Sequence, residues 1–177
     1  ISGNWTYGAG HGVESKNYDP NDMGFLFSPN EQYYFAEGAY TQYKPKNEKL
    51  QQVKISGTSF YSRLYEPNVF TNFNIELESF MLWKSRFALG LNTRLEPVNT
   101  FDYFEPRTDD FSRFMTWPVN YAAGGFVSSD YRKPFAYDIR MSYRYFDAEN
   151  RNNTNIVLAP RLRLSDRLSV FTNTSLS

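Results

Sequence analysis

The sequence predicts an all-β protein, an up-and-down antiparallel transmembrane β-barrel with about nine strands in this chain. Three observations lead there. Apolar and polar residues alternate with period two over much of the chain. Short and long connections alternate along it, as expected when turns gather at one end of a barrel and loops at the other. The polar side of the strands mixes Arg and carboxylates with Gly and Ala, while the apolar side is rich in rings. Aromatic residues make up 19% of the 177 residues, within a hydrophobic share of only 41%, so apolar character is concentrated in Phe, Tyr and Trp. No window approaches the roughly 18 uninterrupted apolar residues of a helical span, whereas a spanning strand needs only about 9–11 alternating ones.

The clearest strand runs from Phe135 to Tyr145, where Phe135, Tyr137, Ile139, Met141, Tyr143 and Tyr145 alternate with Ala136, Asp138, Arg140, Ser142 and Arg144. Phe87, Leu89, Leu91, Thr93 and Leu95 repeat the pattern against Arg86, Ala88, Gly90, Asn92, Arg94 and Glu96. Phe73, Ile75, Leu77 and Met81 do so against Asn72, Asn74, Glu76 and Glu78, and Ile156, Leu158, Leu162 and Leu164 against Asn155, Arg161 and Arg163. A helix would scatter these side chains around its surface. Less regular strands are expected over Ile1 to Gly10, Glu31 to Lys44, Leu50 to Arg63, Val119 to Ser128 and Leu168 to Leu176. Short connections fall at Pro45 to Glu48, Trp83 to Ser85, Asp130 to Lys133 and Ser165 to Arg167. Long ones fall at His11 to Asn30, Tyr65 to Val69, Pro97 to Pro118 and Asp147 to Asn153.

The charged positions suit a crowded barrel interior, because an Arg facing lipid at midplane costs about 2–4 kcal/mol. The expected lumen-lining residues are Glu76, Glu78, Arg86, Arg94, Asp138, Arg140, Arg144, Arg161 and Arg163. Trp83, Trp117, Tyr43, Tyr61, Tyr65 and Tyr145 fall near segment boundaries, where interfacial girdles sit. A secreted β-sandwich with a tyrosine-rich surface is the alternative, and the low mean hydropathy does not separate the two. The odd strand count, the opening directly in a strand and the Leu176-Ser177 end lead to the expectation of one domain over residues 1–177, forming part of a larger barrel.

Three loop motifs go further: Tyr18-Asp19-Pro20-Asn21-Asp22-Met23-Gly24-Phe25-Leu26, Asp102-Tyr103-Phe104-Glu105-Pro106-Arg107 and Asp130-Tyr131-Arg132-Lys133-Pro134. In order and spacing they resemble the C-terminal barrel region of the Bacteroidota outer-membrane family classed as domain of unknown function 5916. The resemblance covers most of the chain, and Tyr18 to Leu26 is its most specific part. It implies a bacterial outer-membrane location and, in the whole protein, a preceding domain similar to a family 9 carbohydrate-binding module. It implies no activity.

The charge balance, 19 Lys and Arg against 19 Asp and Glu, leaves no basic footprint for nucleic acid. The absence of Cys removes disulfides and thiolate metal sites. His11, the only histidine, is the one candidate general base, with Glu14 and Asp19 near it in sequence; a lone loop histidine is more often only polar, and no catalytic residue is assigned. Asp19, Asn21 and Asp22, with Asp109 and Asp110, offer oxygen ligands to Ca²⁺, although Asp-Pro-Asn-Asp is first of all turn chemistry. No cofactor is otherwise expected. Tyr103, Phe104, Phe111, Phe114 and Trp117 make the middle loop aromatic, suited to stacking on sugar rings or to packing as a lid over the barrel mouth. The Asn-X-Ser/Thr matches at Asn4, Asn152 and Asn173 carry no weight in a bacterial outer membrane.

Two functions follow as expectations. One is a pore or accessory component in uptake or secretion, with the charged lining selecting solutes; the same lining also serves as structural ion-pair filling. The other is a non-conducting scaffold whose aromatic loops dock other outer-membrane proteins or glycans. Lipid of the outer membrane is the common partner.

Overall fold

A computed structural model of the chain describes residues 3–18, 29–108, 110–148 and 150–177. Among these residues the protein is all β and antiparallel, with no helix. Eight long strands form a meander: β1 (Trp5–Glu14), β2 (Glu31–Gln42), β3 (Leu50–Leu64), β4 (Phe70–Trp83), β5 (Ala88–Glu96), β8 (Asn120–Ser128), β9 (Phe135–Phe146) and β10 (Asn153–Arg163). Between β5 and β8 lies a two-stranded excursion, β6 (Thr100–Asp102) and β7 (Met115–Trp117). β11 (Ser169–Phe171) and β12 (Thr174–Leu176) both pair with β10. The main sheet is open, with β1 at one edge and β11 and β12 at the other.

Directly opposed residues of an antiparallel pair share a face, so the register carries two faces across the sheet. One row reads Thr58, Glu76, Arg94, Ala122, Arg144 and Asn153. The row on the other face reads Ile55, Ser79, Leu91, Gly125, Met141 and Ile156. Among the charged residues of the eight long strands, only Arg63 falls on the second face, one residue from the end of β3, where its Nε donates to Gln32 Oε1 at 3.1 Å.

Burial inverts what a soluble sheet would display. Among the described residues the buried apolar side chains are Leu64, Ala88 and Ala136, all on the charged face. The apolar face is uncovered: Ile55 is 55%, Leu77 50%, Leu91 51% and Met141 56% exposed. Rings bound this aliphatic middle. Phe135 and Tyr137 lie at one end of β9 and Tyr143 and Tyr145 at the other, while Phe73 and Trp83 bracket β4. From Phe135 to Tyr145, ten steps at about 3.3 Å make roughly 33 Å of strand.

Glycines on the charged face make room for aromatic side chains of neighbouring strands. A Cβ at Gly10 would lie 2.7 Å from the Phe35 ring, and one at Gly90 would overlap the Phe126 ring. Large rings therefore lie across the adjacent strand on the charged face.

Several expectations require correction. β1 begins at Trp5 and runs to Glu14, so His11 lies inside a strand rather than in a loop; Gly8, Gly10 and Gly12 hide its alternation. Instead of about nine strands, twelve are found among the described residues. The excess comes from β6 and β7 inside the expected Pro97 to Pro118 loop, and from the splitting of the expected Leu168 to Leu176 strand. Pro160 explains the split. Its carbonyl accepts Thr172 N at 3.2 Å, but it has no N–H to return, and the ladder lapses at Thr172 and Asn173. The strict alternation of connection lengths also fails. Connections 15–30 and 97–119 are long, but 65–69 is shorter than 43–49, and 147–152 equals 129–134. Finally, Arg86 leaves the charged face: it occupies the turn between β4 and β5 at φ 66°, which strand geometry does not allow.

Candidate functional site

The register brings Glu76, Glu78, Arg94, Asp138, Arg140, Arg144, Arg161 and Arg163 to one face, as their sequence parity requires. Toward the end bearing the long loops, Glu76, Arg94 and Arg144 join a network that crosses four strands. Arg94 pairs with Glu76 and, through Nε at 2.7 Å, with Glu96. Glu96 also accepts Asn120 Nδ2 at 2.7 Å and faces Arg144 Nη2 at 3.5 Å. Asn120 Oδ1 in turn accepts Arg144 Nε at 3.0 Å and Nη2 at 2.7 Å. Glu96 and Asn120 are only 6% and 1% exposed. Two cations meet two carboxylates, so the cluster is self-neutralised. Neither Glu96 nor Asn120 is among the candidates drawn from sequence. Glu96 shares the parity of Arg94 at a strand end, which marks it as a partner, but nothing in the pattern marks Asn120.

Between β2 and β4 the same face forms an open polar trough of about 370 Å³, lined in part by Glu37, Lys54, Ser56, Thr58 and Glu78. Glu78 forms no ion pair among the described residues.

The Asp130 to Pro134 motif closes the opposite end. Asp130 accepts the Arg132 guanidinium twice, Nε at 2.9 Å and Nη2 at 2.8 Å, and the Arg132 backbone N–H at 3.0 Å. These bonds hold its carboxyl well below the usual carboxylate range, at about 2. Tyr131 donates to Asp138, which raises the phenol above its ordinary value, and its ring lies 5.7 Å from the Arg161 guanidinium carbon. Arg163 Nη2 donates to the Arg132 carbonyl at 2.5 Å. Thus Asp138, Arg161 and Arg163 secure a turn folded over the charged face.

At the other end the aromatic loop packs largely on itself. Phe101 and Phe114 meet edge to face at 5.3 Å between centroids, as do Phe104 and Phe111 at 5.7 Å, and Tyr103 and Phe114 lie tilted at 5.1 Å. Phe70 of β4 anchors the cluster through Phe101 at 6.2 Å, and Trp117 lies 6.5 Å from Phe146. Asp102 Oδ1 accepts the backbone N–H groups of Phe104 and Glu105, which fixes the turn of that motif. Beneath the hairpin is a cavity of about 220 Å³ against the ends of β2, β3 and β4. Asn30, fully buried at φ 80°, ties the neighbouring loops: its Nδ2 donates to the Glu66 carbonyl at 2.7 Å and its Oδ1 accepts Glu66 N at 2.9 Å.

His11 points to the apolar face, stacked on Tyr34 at 5.9 Å, whereas Glu14 belongs to the charged face. Strand parity separates them, and no His11–Glu14 pair forms. Asp19, Asn21, Asp22 and Asp109, proposed Ca²⁺ ligands, lie outside the described residues. Asp110 Oδ1 instead accepts Ser112 N at 3.1 Å. Among the described residues no group of three or more His, Asp or Glu is placed to hold a metal ion.

The fold and these faces define a class: an antiparallel β-meander protein with a self-paired charged face and an uncovered apolar one. The whole chain, residues 1–177, matches the family model described as "Domain of unknown function (DUF5916)", and the protein belongs to that family. No curated protein and no solved structure matches the chain.

Proposed function

We propose that this chain is a membrane-embedded β-sheet of a bacterial outer-membrane barrel, acting as a pore or as an accessory component in uptake or secretion. One observation carries the reading: the strand charges, Arg63 excepted, share one face, while the other is an exposed aliphatic band bounded by rings. Soluble monomers rarely expose a contiguous apolar face of more than a few hundred Å², and strands of this length, tilted by about 40° as in membrane barrels, would stand roughly 25 Å tall, the height of the apolar band of such barrels. Outer-membrane lipid is its partner. In hydrocarbon every backbone group needs an internal partner, so this reading requires strands beyond those described to pair the free edges.

The self-neutralised network favours a second use of the same barrel. Arg94, Arg144, Glu76 and Glu96 are engaged with each other, which suits a filled, non-conducting scaffold that docks other outer-membrane proteins or glycans through its loops.

The chain has no cysteine, which makes spin-label scanning direct. Single cysteines at positions 75 to 79 of the full-length protein in bilayers are expected to alternate. Labels at Ile75 and Leu77 collide with dissolved oxygen, and labels at Glu76 and Glu78 collide with a water-soluble nickel chelate. Labels at Ile75 and Leu77 shielded from both reagents would mean a covered sandwich core and sink the membrane reading. Planar-bilayer current then separates pore from scaffold, because Arg140→Glu shifts ion selectivity only in a conducting protein.

A further inference from the structure

The cavity under the β6–β7 hairpin has a composition that the barrel reading does not use. Its lining includes Glu31, Thr71, Asn72, Asp102, Phe104 and Trp117. At about 220 Å³ it is smaller than the roughly 300–1,000 Å³ of sites for drug-sized ligands, and holds one ring-sized polar molecule. Among the described residues no Lys or Arg lines it, and two carboxylates do, which disfavours an anionic occupant. The aromatic residues supply apolar ring surface, and Trp117 is 38% exposed. The polar groups both donate and accept. Asn72 Oδ1 already accepts Asn74 Nδ2 at 3.3 Å, which leaves the Asn72 amide N–H groups for a ligand. Thr71 shares its hydroxyl with Ser62 at 2.6 Å. An ammonium ion has donors only and would leave the Asn72 donors unmatched. A sugar ring has hydroxyls that accept from the amide and donate to the carboxylates, together with an apolar C–H face for an aromatic ring.

We propose that this cavity is a binding site for one uncharged pyranose unit of a glycan, held by Asn72, Glu31 and Asp102 against Trp117 and Phe104. The inference rests on the loop-docking reading above and gives it a ligand class; it does not depend on conduction. The loop's self-packed rings then form the wall of the site rather than an extended stacking platform, so one terminal sugar is recognised and a long chain is not tracked.

The test is saturation-transfer NMR on the intact, detergent-solubilised protein, titrated to about 50 mM with the methyl glycosides of glucose, mannose and galactose in both anomers. At least one is expected to bind saturably at millimolar concentration, with transfer strongest to ring C–H protons. Asn72→Leu and, separately, Glu31→Gln are expected to weaken binding about tenfold, the loss of one hydrogen bond of roughly 1.4 kcal/mol, with unchanged far-ultraviolet dichroism. Trp117→Leu, which leaves β7 backbone pairing intact, is expected to abolish the ring-proton transfer. Absence of binding by the whole panel overturns the proposal. So does binding indifferent to all three substitutions, or binding of tetramethylammonium without any glycoside. A negative panel leaves the oxygen and nickel periodicity of β4 untouched, so failure here is distinguishable from failure of the membrane reading.

Discussion

Removing the Glu96 carboxylate charge separates structural from ornamental ion pairing on the charged face. Glu96 is 6% exposed and accepts from Arg94 Nε and Asn120 Nδ2, both at 2.7 Å. In Glu96→Ala, Arg94 keeps Glu76, Arg144 keeps Asn120, and the Asn120 amide keeps the Pro118 carbonyl at 3.0 Å. Two hydrogen bonds disappear, both charge-assisted because both end on the carboxylate, and the cluster gains a net positive charge. A charge-assisted bond is worth about 1.5–3 kcal/mol. The Arg94 side chain is 36% exposed, and solvent screening takes its share toward the lower value. Adding about 1.5 kcal/mol for the charge-assisted Asn120 bond gives a destabilisation of about 3 kcal/mol. Glu78→Ala, on the same face and unpaired among the described residues, serves as control and is expected to stay within about 0.5 kcal/mol. Urea unfolding of the protein in detergent, followed by tryptophan emission, reads both variants. Equal midpoints for the two would refute the view that Glu96 ties β4, β5, β8 and β9 together.

Gly125→Ala and Gly38→Ala are expected to differ in sign. The new Cβ at position 125 meets the Gly90 carbonyl oxygen at 2.6 Å and costs about 1–3 kcal/mol, whereas that at 38 has its nearest neighbour at 4.0 Å and gains a few tenths to about 1 kcal/mol; thermal midpoints decide. Pro160→Ala restores an N–H opposite the Thr172 carbonyl and is expected to give position 160 a protected amide and to slow amide exchange at Thr172 as β11 and β12 join. Unchanged exchange would mean that the break has another origin. The folded pKa of Asp130 is depressed from 3.8 to about 2, so the stability it contributes is present above about pH 4 and disappears as pH falls through 2. Asp130→Asn is expected to flatten that part of the acid profile, read by the exchange rate of the Arg132 amide.

The strands that alternate without interruption were legible because their parity is written in the residues: Phe135 to Tyr145 became β9 almost to the residue. β1 was misplaced because glycine at 8, 10 and 12 gives no polar signal opposite Tyr7, Ala9 and His11. Arg86 had the parity of Arg94 but fell in a turn, since parity carries no information about where pairing stops. The ion-pair partners were beyond the sequence for a different reason: Glu76, Arg94 and Arg144 are brought abreast by cross-strand register, and register depends on the turns between them. Pro160 is an instructive middle case, because its missing donor was visible in the sequence while the strand it interrupts was not.

The hairpin between β5 and β8 also bears on how the sheet is reached. A meander pairs each strand with the next in the chain, which keeps closure distances short and favours rapid assembly; the 23-residue stretch 97–119 is the longest gap in the described pairing. Once Thr100 pairs with Trp117, and Asn99 Oδ1 accepts Val119 N at 3.1 Å, only the five residues 97–99 and 118–119 separate β5 from β8. Two halvings of loop length recover roughly 1.2 kcal/mol of closure entropy. The aromatic cluster on this hairpin therefore acts as a clasp in time as well as in space: it forms locally, shortens the search, and delivers β8 to β5 already in reach.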